Sequence, residues 1–264
     1  MISPLAHISP DAVIGKNVRI DPFSVIEAGV IIGDDCHIMP NVVIMSGTTI
    51  GKKCLVFPGA VLGAIPQDLK FVGEKTTVEI GDNTTIRECV TVNRGTVDRW
   101  KTVIGSNCLI MAYAHIAHDC VLGNNVILAN GVQCAGHVEI GDYAIIGGLS
   151  GMPQFTRIGA HTYVAAHALV NKDIPPYIKT AQIPLSYAGV NSVGLRRRGF
   201  TNESINAILE VYRNIYYKSM NTSQALDFIE QELPPCVEKD NIVSFIRESK
   251  RGIVKLFNAE NDED

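Results

Sequence analysis

The chain has 264 residues, of which 46% are hydrophobic and 19% charged, and its formal net charge is −4 at pH 7. It is long enough to bury a sizeable core, and the acidic balance argues against general nucleic-acid binding. No stretch is long and apolar enough to span a membrane, and the first residues lack the charged and apolar regions of a secretory signal. We therefore expect a cytoplasmic protein.

An apolar residue recurs at every sixth position from Ile2 to Val170 without a change of register, and only Asp68, Glu74 and Asp98 interrupt the series. A period of six fits neither an amphipathic helix, with about 3.6 residues per turn, nor a strand that alternates every second residue. Each six-residue unit is therefore expected to form one side of a repeating coil. Three units would close a coil of about 18 residues, with short parallel strands on its faces and the aliphatic column inside.

Two further positions of the unit support a solenoid. Small or β-branched residues stand four positions after most of the apolar residues, where they fit an inward-facing corner, and glycines often stand one position after them. A glycine there lets the chain turn sharply or take a positive φ. These glycines are Gly15, Gly33, Gly51, Gly81, Gly105, Gly123, Gly141 and Gly159.

The pattern resembles that of hexapeptide-repeat proteins, which form left-handed parallel β-helices with three hexapeptides per coil. The left hand follows from this resemblance alone, because most parallel crossovers are right-handed. Residues 65–78 and 94–102 leave the repeat and return in register, so we predict that both are loops extruded from the coil.

The composition changes after the last repeat. Helical spacing of apolar residues predicts helices over 201–218, 223–232 and 240–251, and the acidic residues 258–264 are expected to fray. We therefore predict an all-β solenoid over 1–190 and a small α-helical domain over 191–264.

The cysteines follow the repeat rather than a metal-binding motif. Cys36, Cys54, Cys108 and Cys120 occupy the small-residue corner, and Cys134 lies in the apolar column. The chain has no CxxC pair, which argues against a zinc–thiolate site. We expect no bound metal.

Candidate catalytic residues concentrate around position 118. Because the coil repeats every 18 residues or so, His118 should lie one coil from Gly136, and Gly136 one coil from Gln154. Asp119 should likewise lie one coil from His137. A single histidine at an exposed corner is more often solvated than catalytic, but this stacking brings together a base, a carboxylate, a second imidazole and an open backbone N–H. These are the parts of an acyl-transfer site.

Short motifs over nearly the whole chain make the resemblance specific. They are PQDLK at 66–70, RGTV at 94–97, HIAHDC at 115–120, ILAN at 127–130, AGH at 135–137, AIIGG at 144–148, QF at 154–155, DIPPY at 173–177, GVN at 189–191 and GLRRRGF at 194–200. Together they resemble the acyl-[acyl-carrier-protein]–UDP-N-acetylglucosamine O-acyltransferase family, which begins lipid A synthesis.

The resemblance implies an enzyme with a histidine general base and no cofactor of its own. His118 matches the base that takes the proton of the glucosamine 3-hydroxyl as that oxygen attacks the thioester of a (R)-3-hydroxyacyl carrier protein. Asp119 would orient the imidazole, and the Gly136 N–H would bind the oxyanion. The expected partners are acyl carrier protein and UDP-N-acetylglucosamine.

The resemblance also implies substrate contacts and a position that limits acyl-chain length, Ala166. The substrate contacts are His115 and His137 in the sugar and acyl pocket, Gln67, Asp68 and Lys70 near the sugar and carrier-bound substrate, and Gln154, Asn191, Arg197 and Arg198 at the nucleotide end. Consecutive arginines suit a diphosphate, which needs several donors. The chain departs from the family pattern at Pro153, Asn93 and Val193, all of which concern substrate contacts rather than the base.

The family implies a homotrimer with its site between neighbouring coils. The acidic carrier protein would approach basic groups near Lys70, Arg94, Arg99 and Lys101. Three other interpretations stay open from the sequence. One is an N-acyltransferase on a UDP-amino sugar, which normally carries an extra N-terminal domain, and another is a γ-class carbonic anhydrase with three histidines on zinc. The third is a non-catalytic solenoid.

Overall fold

Residues 1–257 are described by a computed structural model, which contains 26 short strands followed by four helices. The strands build a three-sided β-helix, because each strand pairs in parallel with the strand one coil away, apart from the closing hairpin of β25 and β26. Sheets 1, 2 and 3 are the three sides, met in that order along the chain. We call the turns from sheet 1 to sheet 2 edge I, those from sheet 2 to sheet 3 edge II, and those from sheet 3 to sheet 1 edge III.

Sheet 1 consists of β1 (His7–Ile8), β4 (Val25–Ile26), β7 (Val43–Ile44), β10 (Val61–Ala64), β13 (Thr91–Asn93), β16 (His115–Ile116), β19 (Gln133–Cys134) and β22 (Gly151–Met152). Sheet 2 consists of β2 (Val13–Ile14), β5 (Ile31–Ile32), β8 (Thr48–Ile50), β11 (Thr77–Ile80), β14 (Lys101–Ile104), β17 (Val121–Leu122), β20 (Glu139–Ile140) and β23 (Arg157–Ile158). Sheet 3 consists of β3 (Arg19–Ile20), β6 (His37–Ile38), β9 (Leu55–Val56), β12 (Thr85–Ile86), β15 (Leu109–Ile110), β18 (Ile127–Leu128), β21 (Ile145–Ile146), β24 (Tyr163–Val164), β25 (Ile178–Ala181) and β26 (Ser186–Val190).

The predicted register of one coil is confirmed. Ile20 pairs with Ile38, 18 residues later. The spacing grows to 30 from Val56 to Ile86, across the first loop, and to 24 from Ile86 to Ile110, across the second. Both insertions are multiples of six residues, so the apolar column continues past the loops, and its apolar side chains are buried from Ile20 to Val170.

The loops leave the coil where the sequence predicts. The first lies between Ala64 and Thr77, and the second lies between Asn93 and Lys101, so each strand resumes slightly before the predicted loop end. Both loops leave from edge I, since each connects a strand of sheet 1 to a strand of sheet 2.

The recurring glycines serve close stacking, and of the two roles expected for them, a sharp turn or a positive φ, the positive φ does not occur at these positions. A Cβ built on Gly33 would lie 2.6 Å from the carbonyl oxygen of Gly51, one coil away. The left-handed conformation is taken two residues later instead, at non-glycine residues such as Asn17 and Asp35. The coils approach too closely along edge II for a side chain at the glycine position.

Four helices follow the solenoid: α1 (Ser192–Arg197), α2 (Asn202–Tyr217), α3 (Thr222–Glu232) and α4 (Val237–Arg247). The second and third match the predicted spans closely, while α4 begins and ends earlier than predicted and α1 was not predicted. Asn191 caps α1, its side chain accepting a hydrogen bond from the Gly194 N–H. Residues 258–264, which the sequence predicts to be frayed, lie outside the described part of the chain.

The helices pack back onto the solenoid. Tyr212 of α2 is fully buried and its hydroxyl donates to the Pro176 carbonyl oxygen. After α4 the chain returns to the coil, where Ile253 bridges to Asp173. No helix within residues 1–257 has both the length and the apolarity needed to cross a lipid bilayer.

Candidate active site

The predicted catalytic residues meet on three successive turns of edge I. The His137 N–H donates to the carbonyl oxygen of His118 over 3.0 Å, and the Phe155 N–H donates to that of Gly136 over 3.2 Å. These backbone bonds stack Asp119 beneath His137 and Gly136 beneath Gln154. The 18-residue repeat thus brings His118, Asp119, Gly136, His137 and Gln154 to edge I.

His118 and Asp119 form a buried hydrogen-bonded pair. Nδ1 of His118 lies 2.9 Å from Oδ2 of Asp119, and both residues are buried. A carboxylate accepts only, so the imidazole carries its proton on Nδ1 and presents a lone pair on Nε2. An imidazole held in this tautomer is suited to act as a general base.

Asp119 is held by the second loop. It takes a left-handed conformation and accepts hydrogen bonds from the Thr96 hydroxyl over 2.6 Å, the Thr96 N–H over 3.0 Å and the Arg99 N–H over 3.2 Å. Burial acts to raise the pKa of Asp119, but the hydrogen bonds from Thr96 and His118 outweigh it and hold that pKa below its ordinary value. The carboxylate is therefore ionised at neutral pH.

Gly136 supplies the space that His118 occupies. A Cβ at residue 136 would lie 2.5 Å from Cε1 and 2.6 Å from Nε2 of His118. The lone pair of Nε2 therefore lies beside the backbone of Gly136. A hydroxyl at Nε2 and an oxyanion at the Gly136 N–H would be neighbours, as acyl transfer requires.

Two further imidazoles border the pair. Nε2 of His137 lies 3.9 Å from Oδ2 of Asp119, and its ring stacks on Phe155 at 4.4 Å between centroids. Nδ1 of His137 lies 3.1 Å from the exposed Asp98 carboxylate but makes no hydrogen bond within residues 1–257. Burial lowers the pKa of His137. His115, on β16, contacts the Thr91 hydroxyl through Nδ1 at 2.7 Å, and burial lowers its pKa also.

The first loop carries the predicted residues 67–70 out from the same edge. Asp68 is half-buried, and its carboxylate accepts from the Lys70 N–H over 3.0 Å, while the side chains of Gln67 and Lys70 are exposed. The loop therefore presents both side chains to solvent on the same edge as His118.

The residues predicted for the nucleotide end are divided between two edges. Gln154 lies on edge I, whereas Asn191 lies at edge II and donates through Nδ2 to the His161 carbonyl oxygen over 2.9 Å. Arg198 also lies at edge II, with its guanidinium 5.3 Å from the Tyr143 ring centroid, and Arg197 is exposed on α1. A single copy of the chain does not bring these four residues together.

Edge II also carries an aromatic stack that the sequence analysis missed. The His161 ring stacks between Tyr143 and Tyr177, at 4.9 and 5.7 Å between centroids. Burial lowers the pKa of His161 to about 4, with the nearby positive charge of Arg198 acting in the same direction. The spacing from 143 to 161 was the available signal, since it is one coil.

Ala166, predicted to limit acyl-chain length, lies on the third edge. It is exposed in the turn between β24 and the next passage of sheet 1. The predicted base, nucleotide and chain-length positions thus occupy edges I, II and III respectively.

Two of the basic groups predicted to meet the carrier protein are paired within the chain. The Arg99 guanidinium binds the Glu139 carboxylate, and the Lys101 ammonium lies 3.0 Å from that of Glu79. The Arg94 guanidinium lies 5.6 Å from the Phe71 ring centroid. This contact joins the two extruded loops. The first loop's Lys70 remains exposed.

A metal bound by this cluster would compete with hydrogen bonds that Asp119 already accepts. Potential ligand atoms of His118, Asp119 and His137 lie within 4.8 Å of one another. Both carboxylate oxygens of Asp119 already accept hydrogen bonds, one of them from Nδ1 of His118. A metal at this cluster would have to displace Thr96 and Arg99.

A cavity of about 430 Å³ opens beside the site. His137 and Phe155 line one side, and the chain after α4 lines the other with Glu248, Lys250 and Arg251. His118 is not among the lining residues. The cavity therefore continues the site toward the helical domain.

The chain matches models of two protein families and several known proteins. A family described as bacterial transferase hexapeptide (six repeats) matches residues 29–64 and 101–136, and the second domain of a UDP N-acetylglucosamine O-acyltransferase family matches 173–254. The chain is 44% identical over 255 residues to the acyl-[acyl-carrier-protein]–UDP-N-acetylglucosamine O-acyltransferase of Thiobacillus denitrificans, covering 96% of this chain and 99% of that one. It is 43% identical to that of Pseudomonas syringae pv. syringae, covering 97% and 99%.

Solved structures also match this chain over nearly its full length. The UDP-N-acetylglucosamine acyltransferase of Bacteroides fragilis superposes with a TM-score of 0.95 at 50% identity, covering 97% of this chain and 100% of that one. The protein from Acinetobacter baumannii gives 0.93 at 40% identity, covering 96% and 99%. The predicted fold is thereby confirmed, with the β-helix left-handed. The chain belongs to the acyl-[acyl-carrier-protein]–UDP-N-acetylglucosamine O-acyltransferase family.

Proposed function

We propose that this protein transfers a (R)-3-hydroxyacyl group from acyl carrier protein to the 3-hydroxyl of UDP-N-acetylglucosamine, the first step of lipid A synthesis. The observation that carries the proposal is the position of His118: Nδ1 is bound to Asp119, and Nε2 lies against Gly136. The names of the relatives supply the substrates, and the site geometry supplies the chemistry.

The reaction follows from these three residues. Nε2 of His118 takes the proton of the sugar 3-hydroxyl while that oxygen attacks the thioester carbonyl carbon. The carbonyl electrons move onto oxygen, and the Gly136 N–H donates to the resulting oxyanion. When the intermediate collapses, the carrier's thiolate leaves and recovers the proton from His118. Asp119 stabilises the imidazolium between these steps, since its carboxylate stays ionised.

We also propose a homotrimer in which the site lies between copies. Its support is the distribution of predicted residues: the base is on edge I, Asn191 and Arg198 are at edge II, and Ala166 is on edge III. A substrate that contacts all of them must therefore lie between different copies of the chain. Repeated closed symmetry is the common way for a protein to build such a site.

The other interpretations are not favoured. A carbonic anhydrase would need a third zinc ligand, and both Asp119 oxygens are already bound by other donors. The relatives reported above are O-acyltransferases over nearly their full length, rather than sugar N-acyltransferases. We expect the enzyme to use no cofactor beyond the carrier's own prosthetic group. We also expect a cytoplasmic location.

The proposal is tested with purified protein, UDP-N-acetylglucosamine and a panel of (R)-3-hydroxyacyl carrier proteins of different length. Mass spectrometry of the product should give the sugar nucleotide plus one 3-hydroxyacyl group, attached by an alkali-labile ester. An alkali-stable amide, or no transfer from any donor, would refute the proposed reaction.

His118→Ala tests the assignment of the base. We expect kcat to fall by about 10² to 10⁴, because general base catalysis contributes about that much. His7→Ala serves as the control, since His7 is exposed on the first coil. If the His118 variant kept more than a tenth of the wild-type kcat, another group would have to be the base.

A further inference from the structure

The second extruded loop supplies most of the hydrogen-bond donors around the buried carboxylate of Asp119. Asp119 is fully buried, and three of its four hydrogen-bond donors come from the loop: the Thr96 hydroxyl, the Thr96 N–H and the Arg99 N–H. A buried carboxylate is costly unless it is hydrogen-bonded. The loop therefore supplies most of the compensation that an ionised Asp119 needs.

The Thr96 hydroxyl has a particular place in this arrangement. It donates to Oδ2 of Asp119 over 2.6 Å, and the same oxygen accepts from Nδ1 of His118 over 2.9 Å. The Thr96 N–H donates to the same oxygen over 3.1 Å, so the position of Oδ2 depends on three donors, two of which belong to Thr96. A shift of this oxygen would move the His118 ring, whose Nε2 lies against Gly136.

The loop is itself tied to the sheet and to the helical domain. The Arg99 guanidinium binds Glu139 of β20, Glu139 also pairs with Arg157 of β23 at 3.3 Å, and Arg157 pairs with Glu248 after α4 at 2.9 Å. Within the loop, the Trp100 N–H donates to the Thr96 carbonyl oxygen over 2.8 Å. These bonds fix the backbone that presents Thr96.

We infer that Thr96 is a positioning residue, which acts through Asp119 to hold the His118 imidazole against Gly136. The inference rests on the proposed acyl transfer. Thr96 does not touch the reacting atoms, and its effect on the reaction passes through the carboxylate. From the sequence we expect this loop to contact the carrier protein, and the inference adds a role in positioning Asp119.

Thr96→Val tests the inference, because valine removes the hydroxyl and keeps the shape and the backbone N–H. We expect kcat to fall about 10-fold or more, with the KM for UDP-N-acetylglucosamine changed less than about twofold. Thr96→Ser keeps the hydroxyl and should retain at least about half of the wild-type kcat. Thr49→Val is the matched control, since Thr49 is exposed on β8, two strands from β14 in sheet 2.

The pH profile separates positioning from a general structural effect. The ionisable groups that face Asp119 directly are His118 and His137 on edge I and the neighbouring Cys120. Asp98 and Arg99 of the loop act on His137, and His115 on β16 interacts with His118. Burial raises the pKa of Asp119 and the hydrogen bond from the Thr96 hydroxyl lowers it, so loss of that hydroxyl raises the pKa and should move the acid limb of kcat up by about 0.5 pH unit in Thr96→Val. Thr96→Ser should show the wild-type profile.

The fluorescence of Trp100 reports whether the loop stays in place, because it is the chain's single tryptophan. The inference predicts wild-type emission in Thr96→Val together with the lower kcat and shifted acid limb. A kcat within twofold of wild type, an unshifted acid limb, or a serine variant as impaired as the valine variant would overturn it. Wild-type turnover is measured first, so failure of the proposed function is seen separately.

Discussion

Gly136 shows how one missing side chain positions a catalytic ring. The His118 imidazole occupies the space where a Cβ of residue 136 would stand, since that atom would lie 2.5 Å from Cε1 of the ring. Gly136 is not among the glycines with positive φ, so its backbone conformation would accept an alanine. The site requires glycine here for space, and not for conformational freedom.

Gly136→Ala should therefore damage catalysis and spare the fold. We expect kcat to fall by about 10², within the range for loss of a general base, because the ring must move away from its productive position. Gly151→Ala is the matched control, because Gly151 is also on the solenoid and a Cβ there meets no atom of residues 1–257 within 4 Å. Steady-state kinetics and thermal melts of both variants provide the measurement. Turnover above a third of wild type in Gly136→Ala would show that the ring is placed otherwise.

His161 gives the protein a dependence of stability on pH. Its pKa in the folded chain is about 4, because of burial, and lies below the ordinary value of 6.5. The unfolded chain therefore binds more protons between these values, and the free energy of unfolding rises with pH across that window. The contribution is complete above about pH 6.5 and is lost as the pH falls toward 4.

His161→Phe keeps an aromatic ring in the stack and removes the titration. We expect its urea midpoint to fall less between pH 7.5 and pH 5 than that of the wild type. His115 and His137, whose pKa values are also lowered by burial, leave part of the dependence in place. An equal fall in both proteins would mean that His161 does not contribute.

At the scale of elements, the three edges of the β-helix carry different groups of residues. Edge I carries both extruded loops together with the His118 pair, so the interruptions of the repeat lie on the same edge as the proposed base. Edge II carries the aromatic stack and the start of α1. Edge III is a plain turn at Ala166, packed so closely that a Cβ on Gly147 would lie 2.4 Å from the Ala166 nitrogen.

The family resemblance implies that the turn at Ala166 limits acyl-chain length. The backbone is packed against Gly147 while the side chain is exposed, so a larger residue should project outward without breaking the coil. If the acyl tail ends there, Ala166→Met excludes terminal methylenes worth about 0.8 kcal/mol each. Donors two carbons too long should then lose about 10-fold in kcat/KM, and Ala166→Gly should keep or lengthen the preference. Competition between mixed donors measures this, and unchanged profiles in both variants would place the tail elsewhere.

At the scale of the whole molecule, the division of the predicted site residues over three edges predicts complementation between copies. We expect His118→Ala and Arg198→Ala to be poorly active alone. Mixed assemblies, made by co-expression with two different tags, would contain some sites where an intact edge I faces an intact edge II. Their activity should exceed the mean of the two variants severalfold.

The size of the assembly is measured on the same samples by light scattering. Co-assembly with activity no higher than the mean of the two variants would mean that each chain carries a complete site. A monomer or dimer would contradict the proposed trimer directly.

The period of six was sufficient to predict a three-sided parallel solenoid from the sequence, although its left hand came from the family resemblance. An aliphatic column can be buried at that spacing only if each unit forms one side of a coil, so strands, register, core and extruded loops all follow from it. The same arithmetic predicted that His118 stacks with Gly136 and Asp119 with His137. Contacts one coil apart are effectively local, because the repeat sets their separation.

Contacts that no period sets were decided by the tertiary structure alone. The hydrogen bonds from Thr96 to Asp119 depend on the path of a non-repeating loop, and α1 depends on the cap that Asn191 forms after the coil ends. Arg99, one of the cations expected to contact the carrier protein, pairs instead with Glu139, which lies 40 residues later in the chain. Such contacts depend on how irregular segments fold back onto the coil, and the sequence pattern carries no distance for them.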